Sequence, residues 1–437
     1  MSYEKVGKAE PAPEPRSSFW PRVRASVPLH LPADISVTKS KNLYKIKCLI
    51  SLARAARIPD RKSILPNLRV QTGPPDRPKR RMTMKYLYWL LVFIPITLVA
   101  RLGFHLSDGI VFCLCCVSII PLAAVLGDAT EQISLYTGPK VGGFLNATMG
   151  NVPEILICGF AVKAGMFSLV LTSLAGSMLG NILLVMGMSI FVGGLKYKIM
   201  PVSKNIVKNN FDLLGFALFS IVVPFFFKFG SRGGEDPDAV KKFSLALAIV
   251  MLVLYILGLI FSLITHRDIF LEDADDGEEE EKPEWSLRKG VVIMAAAAVA
   301  VAVMSEILVS TVQGAAKQFG LGEAFIGIIL IPILGNVAEH ASACLMAIKG
   351  KINISIEIAV GSSMQIALFV TPLMVIWSAI LGNTMEYVYT SMELLGIVIS
   401  VILTATVFMD HKVNWLEGAE LMVAYIVLAG AFLVFGT

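Results

Sequence analysis

Charged residues are scarce in this chain. They make up 16% of its 437 residues, against 55% hydrophobic residues, and the mean hydropathy is +0.71. An ordinary soluble domain carries about 25% charged residues. Apolar runs long enough to cross a hydrocarbon core of ~30 Å recur along the chain, so the sequence predicts an integral membrane protein. No large soluble domain is expected after residue 85, because the connections between these runs are short.

Cysteines are also few, and their spacing forms no known framework. Cys113-x-Cys115-Cys116 has no second pair at zinc spacing. The chain has no His-Glu-x-x-His motif either, which argues against an intramembrane metalloprotease. We expect neither disulfides nor a bound cofactor, and we interpret five of the six cysteines as small apolar residues inside predicted helices: Cys113, Cys115, Cys116, Cys158 and Cys344.

The apolar runs predict an all-α membrane protein with about eleven transmembrane helices. Strands of a membrane β-barrel would be ~10 residues long with alternating polarity, whereas these runs are longer and apolar on all sides. We place the helices at residues 86–104, 109–127, 141–163, 167–194, 211–229, 243–265, 289–316, 322–347, 352–380, 391–409 and 416–436. The expected domains are a tail (1–83), a first helix (84–107), a first repeat (108–266), an acidic linker (267–286) and a second repeat (287–437).

The N-terminal tail is basic, with 19 Lys+Arg against 6 Asp+Glu in residues 1–85, and it is predicted to be disordered. It could be a cytosolic anchor for anionic lipid, an organelle transit peptide, or an untranslated stretch before a start at Met84. The lysines of two short loops predict that the tail's side of the membrane is the cytosol; they are Lys196, Lys198, Lys204, Lys208, Lys349 and Lys351.

The linker between the two repeats is strongly acidic from Leu271 to Glu281. A self-repelling hydrophilic connection is one interpretation. A cytosolic sensor of divalent cations is the other, although the carboxylates lack the spacing of an EF-hand loop.

Two matched motifs occupy corresponding places in the two repeats. The first is Gly150-Asn151-Val152-Pro153-Glu154, followed by Gly176-Ser177; the second is Gly335-Asn336-Val337-Ala338-Glu339-His340, followed at the same spacing by Gly361-Ser362. Each repeat holds five helices, an odd number, so the second must insert upside down. The sequence therefore predicts an inverted-topology repeat, in which discontinuous helices meet near the membrane midplane.

A glutamate at bilayer depth indicates a functional site. Helical spacing places Asn151 beside Glu154, and Asn336 beside Glu339. Oxygen donors of this kind suit a hard dication such as Ca²⁺. Two ionised glutamates are costly in a medium of low dielectric, so we expect them to hold a dication or protons in turn, as in an antiporter. The predicted metal ligands are Glu154, Glu339, Asn151, Asn336, Ser177, Ser362 and Gln365.

Three further side chains have two interpretations each. His340 could take part in proton coupling or make an interhelical hydrogen bond. Glu131 and Glu306 lie nearer the ends of their helices, where they could line an access path or extend to the membrane surface.

These motifs resemble those of the cation/proton exchangers, the CAX branch of the cation/calcium exchanger superfamily. The resemblance covers residues 84–437 and is closest to bacterial members. It implies an eleven-helix inverted repeat that moves Ca²⁺ out of the cytosol in exchange for H⁺, with Glu154 and Glu339 binding both ions and His340 tuning the coupling. It also implies the inner membrane of a bacterium or the vacuolar membrane of a eukaryote. The tail and Pro153 depart from the family pattern.

Other transport functions remain open at this point. A Na⁺-coupled calcium exchanger would need additional acids or hydroxyls beside the two glutamates, where this chain has Asn and His. A proton exchanger could also accept Mn²⁺ or Cd²⁺. A passive channel usually needs rings of residues from several subunits. The expected partners are Ca²⁺, H⁺ and the lipid bilayer, with no nucleic acid; an oligomer is possible.

Overall fold

The computed structural model describes residues 87–230, 236–265 and 283–436. These residues belong to one compact unit, Pro78–Thr437. The predicted tail (1–83) and the acidic run (271–281) lie outside the described residues, and what we expect of them stays a prediction.

The first half follows a 3₁₀ turn at Trp89–Val92. Its helices are α1 (Phe93–Leu102), α2 (Asp108–Met149), α3 (Val152–Lys163), α4 (Phe167–Leu179), α5 (Met186–Tyr197), α6 (Lys204–Gly230) and α7 (Pro237–Ile260). A π-helical turn, Gly180–Val185, joins α4 to α5, and another, Phe261–Thr265, continues α7.

The second half repeats this plan with shorter pieces. Its helices are α8 (Leu287–Phe319), α9 (Glu323–Phe325), α10 (Ile331–Gly335), α11 (Val337–Ile348), α12 (Ile352–Gln365), α13 (Thr371–Ile380), α14 (Ser391–Val407) and α15 (Trp415–Phe435). The π-helical turns Ile326–Leu330 and Ile366–Val370 join α9 to α10 and α12 to α13.

The membrane-spanning character of the chain is confirmed. In the described part, seven helices are long and apolar enough to cross a membrane, or eight if the bent pair Glu323–Gly335 and Val337–Ile348 forms one span. Two shorter apolar helices, Trp89–Leu102 and Ser391–Val407, fall where further spans were predicted. The count of eleven stays a prediction.

The predicted gap between the second and third spans corresponds to a break inside α2 at Gly138. Gly138 has φ +77° inside α2, a left-handed conformation that glycine adopts without a steric penalty. The first helical segment therefore runs from Asp108 to Gly138 rather than ending near residue 127, and a second segment follows up to Met149.

The two halves pack against each other along matching elements. The long helices α2 and α8 lie side by side, α5 contacts α11, and α13 contacts α3 in the reciprocal arrangement. This pairing is the pattern that an inverted repeat produces. The helices at the centre, α4 above all, are buried on every side, which is why their sequences are apolar all round.

A small antiparallel ribbon departs from the all-helical plan. Strand β1 (Ile199–Pro201) pairs with β2 (Lys412–Asn414), with Met200 opposite Val413. Lys198 and His411 flank the ribbon with φ of +63° and +57°, a conformation that a residue with a Cβ rarely adopts. The ribbon ties the α5–α6 connection of the first half to the α14–α15 connection of the second.

Candidate functional site

Both matched motifs break a helix at the same point. Asn151 ends one helical piece with φ −98° and ψ 11°, and Asn336 does so with φ −96° and ψ 8°. The break in the second half bends the chain by 57°. Pro153 fits the first turn of α3 because the backbone N–H that it lacks has no helical partner there.

The breaks place each glutamate in the first turn of a new helix, Glu154 in α3 and Glu339 in α11. The aligned peptide dipoles of a helix give its N-terminus a partial positive charge, which favours a nearby carboxylate. The two environments are unequal, however. Glu154 is 6% exposed, whereas Glu339 is half-buried and hydrogen-bonded to Ser362.

Near the two glutamates, three of the side-chain hydrogen bonds between the halves involve residues of the matched motifs or of the helices that follow them. The Asn151 amide donates to Gln365 Oε1 at 2.5 Å, and the Asn336 amide donates to Ser177 Oγ at 3.4 Å. The Asn181 amide donates to Ser362 Oγ at 2.9 Å. The predicted ligands from both repeats are thereby joined in one buried polar cluster between the halves.

Each carboxylate reaches the glycine of the opposite motif. A Cβ placed on Gly335 would lie 3.0 Å from Glu154 Oε1, and one placed on Gly150 would lie 3.5 Å from Glu339 Oε1. The bare backbone at these glycines therefore gives each carboxylate room to cross toward the other half.

Several oxygens of this cluster have no hydrogen-bond partner among the described residues. They are both carboxylate oxygens of Glu154, Oε2 of Glu339 and Oδ1 of Asn181. A buried polar atom without a partner is costly, and a cation or protons would offset that cost. The described residues contain no group of three or more His, Cys, Asp or Glu side chains able to hold a metal. The donor set is instead two carboxylates with amide and hydroxyl oxygens, which suits a hard cation.

A small cavity of about 10 Å³ opens beside Glu154, enough for the centre of roughly one water-sized sphere. Helices α3, α4 and α10 supply its lining: Glu154, Ile157, Cys158, Ser173, Leu174, Ser177, Ile331, Pro332 and Gly335. Cys158 and Ser173 were not among the predicted site residues. Helical spacing could have found them, since each lies four residues from a predicted ligand, Glu154 or Ser177.

Three further residues were predicted to take part in proton coupling or to line an access path: His340, Glu306 and Glu131. His340 follows Glu339 on α11, and its Nε2 is buried with no partner in the described part of the chain. Glu306 is exposed and pairs with Lys163 at 3.7 Å. Lys163 ends α3 about 14 Å along the helix axis from Glu154, so Glu306 does not join the cluster. Glu131 lies on α2 before the Gly138 bend and is half-buried.

Comparison with known proteins agrees with this architecture. The sequence pattern of the sodium/calcium exchanger protein family matches residues 108–264 and 289–434, one stretch on each side of the linker. The chain is similar to the Ca²⁺/H⁺ antiporter ChaA of Bacillus subtilis, with 43% identity over 80% of this chain and 99% of that protein. It is 36% identical to vacuolar cation/proton exchanger 3 of Arabidopsis thaliana, over 79% of this chain and 78% of the relative.

A solved structure has the same fold. The structure of native YfkE superimposes with a TM-score of 0.69 at 38% identity, covering 80% of this chain and 99% of that one. The chain therefore belongs to the sodium/calcium exchanger family of membrane proteins, among its CAX-type members.

Proposed function

We propose that this protein is a secondary active transporter that exchanges Ca²⁺ for H⁺ across a membrane. The observation that carries the proposal is the pair of glutamates from two broken helices. Three of their four carboxylate oxygens are buried and lack partners among the described residues. The names of similar proteins support it, since ChaA and relatives from Aphanothece halophytica and Synechocystis are Ca²⁺/H⁺ antiporters.

The chemistry of the exchange follows from charge balance. Ca²⁺ between Glu154 and Glu339 neutralises both carboxylates, and the cross-half amide and hydroxyl oxygens complete an oxygen shell. When Ca²⁺ leaves, the carboxylates take up protons, because two bare charges in a water-poor site are too costly. The two ions thus compete for the same oxygens.

Coupling requires that the occupied site open to one side of the membrane at a time. The empty, doubly charged site is the least stable form, so the protein changes sides only when it holds Ca²⁺ or protons. Each cycle then moves Ca²⁺ one way and H⁺ the other. The resemblance to cation/proton exchangers implies that the cytosol is the side from which Ca²⁺ is removed.

The test is uptake of radiolabelled Ca²⁺ into proteoliposomes driven by a pH gradient in Na⁺-free buffer. We expect uptake above the electrochemical equilibrium of Ca²⁺ and its collapse when a protonophore dissipates the gradient. Uptake that needs Na⁺ would establish the Na⁺-coupled alternative instead. Equilibration without accumulation would indicate a channel.

A further inference from the structure

The cavity beside Glu154 contains a soft donor that the oxygen cluster does not use. Cys158 lies one helical turn after Glu154 on α3 and is 1% exposed. Both residues line the same cavity. The thiol is therefore placed beside an ion that Glu154 holds.

A second polar group faces this cavity independently of the cysteine. Ser173, on α4, is 4% exposed and lines the cavity, and its hydroxyl has no hydrogen-bond partner among the described residues. Most serines in membrane helices donate to a carbonyl of the preceding turn, as Thr172 does here to Ser168. An unpartnered, buried hydroxyl at this place is what an additional ligand would satisfy.

Cys158 and Ser173 lie in the first half, and the equivalent positions of the second half have no thiol or hydroxyl group. An offset of 185 positions relates Glu154 to Glu339, so Cys158 corresponds to Ala343 and Ser173 to Ile358. The second half therefore lacks both the thiol and the hydroxyl. The Glu154 side of the site has a mixed sulfur and oxygen character, while the Glu339 side has oxygen donors and the imidazole of His340.

We propose that Glu154, Cys158 and Ser173 form a subsite for a soft divalent cation of the cadmium class, which competes with Ca²⁺. Thiolate sulfur selects soft metal ions, whereas carboxylate and hydroxyl oxygens bind both soft and hard metal ions. On binding, the Cys158 S–H bond breaks and an S–Cd bond forms. The thiol proton passes to water, and no electron is transferred. This inference rests on the proposed function, because it assigns selectivity at the same site.

The test compares Cys158→Ser with Cys344→Ser in proteoliposomes. For each we measure the KM for Ca²⁺ and the inhibition constant of Cd²⁺ on pH-driven Ca²⁺ uptake. Cys344 is the matched control, since it lies on α11, contacts Ser189 at 3.9 Å and does not line the cavity. We expect the ratio of Cd²⁺ to Ca²⁺ affinity to fall at least about tenfold in Cys158→Ser, the smallest effect of losing even an outer ligand partner. It should not change in Cys344→Ser.

A direct measurement of the metal bond keeps the test independent of transport. Titration of the purified protein with CdCl₂ should give the ultraviolet charge-transfer absorption of a Cd–thiolate bond, which excess Ca²⁺ reverses. Cys158→Ser should lose this band and Cys344→Ser should keep it. Unchanged Cd²⁺ inhibition and an unchanged band in Cys158→Ser would overturn the subsite. A wild-type protein that shows the band without pH-driven Ca²⁺ uptake would instead overturn the proposed function.

Discussion

The two central glutamates share a motif but not an environment. Glu154 is buried, and neither of its carboxylate oxygens has a partner among the described residues. Glu339 is half-buried and receives a hydrogen bond from Ser362. Both carboxylates therefore depend on a bound ion or proton for stabilisation, since Glu339 Oε2 and both oxygens of Glu154 are buried without a partner in the described part of the chain.

Replacing either glutamate tests the shared site. We expect Glu154→Gln or Glu339→Gln to reduce pH-driven Ca²⁺ uptake by more than about 100-fold, because removing one member of a buried charged site costs several kcal/mol. The glutamine side chain has nearly the shape of glutamate, but its amide carries no charge and does not take up a proton. Glu306→Gln is the control, as its exposed carboxyl pairs only weakly with Lys163. Wild-type uptake by either central variant, with normal insertion, would contradict the shared site.

The Asn151–Gln365 hydrogen bond tests the contact between the halves. Asn151→Ala should raise the KM for Ca²⁺ by about tenfold, since a hydrogen bond in a buried polar network contributes roughly 1.5 kcal/mol. A double-mutant cycle with Gln365→Ala isolates the pair, and the two effects should not add, because the 2.5 Å bond joins them. Additive effects would show that the two residues act separately.

At the scale of elements, the sequence predicted the breaks but not all of their consequences. Gly-Asn before each glutamate, with Pro153 in one copy, weakens a helix locally, and the structure breaks there. The two separate helices suggested by the apolar pattern agree with the break at Gly138, although the first of them extends further than its apolar run. The β1–β2 ribbon was missed because each strand has three residues, too few to show alternation, and its pairing is non-local.

The sequence indicated polar residues that the structure brings together, whereas their roles as ligands stay a prediction. Asn151, Asn336, Ser177, Ser362 and Gln365 do lie in one cluster across the halves. Cys158 was assigned to apolar packing, since a buried thiol is usually inert. Only the cavity that it shares with Glu154 distinguishes it, and a cavity arises from packing between helices.

The equivalent glycines of the two Gly-Ser motifs differ in their surroundings. A Cβ on Gly176 would collide with the backbone carbonyl of Ile328, in the π-helical turn that packs on α4, while one on Gly361 would meet nothing within 4 Å. Gly176→Ala should therefore destabilise the protein by about 1–3 kcal/mol or more, the range for overpacking. Gly361→Ala is the matched control. Thermal unfolding in detergent measures the stability of both variants. Equal unfolding midpoints for the two variants would contradict the close contact between Gly176 and the Ile328 carbonyl.

At the scale of the whole molecule, the exchange should depend on pH through competition for one site. Protons occupy the carboxylates as pH falls, so Ca²⁺ binds less readily and its apparent KM rises. As pH rises, fewer protons compete, and the KM reaches a lower limit set by Ca²⁺ alone. Uptake measured across pH at a constant gradient checks this, and saturating Ca²⁺ should remove most of the effect. A KM that does not vary with pH would mean that the ions use separate sites.

The β1–β2 ribbon has a consequence for how the protein is made. Ile199 pairs with Asn414, so β1 leaves the ribosome long before its partner strand has been synthesised. Until then its N–H and C=O groups form an open edge at the membrane surface. Biogenesis should therefore finish with the closing of this ribbon, and a nascent chain released before residue 412 should be recognised and degraded as incomplete.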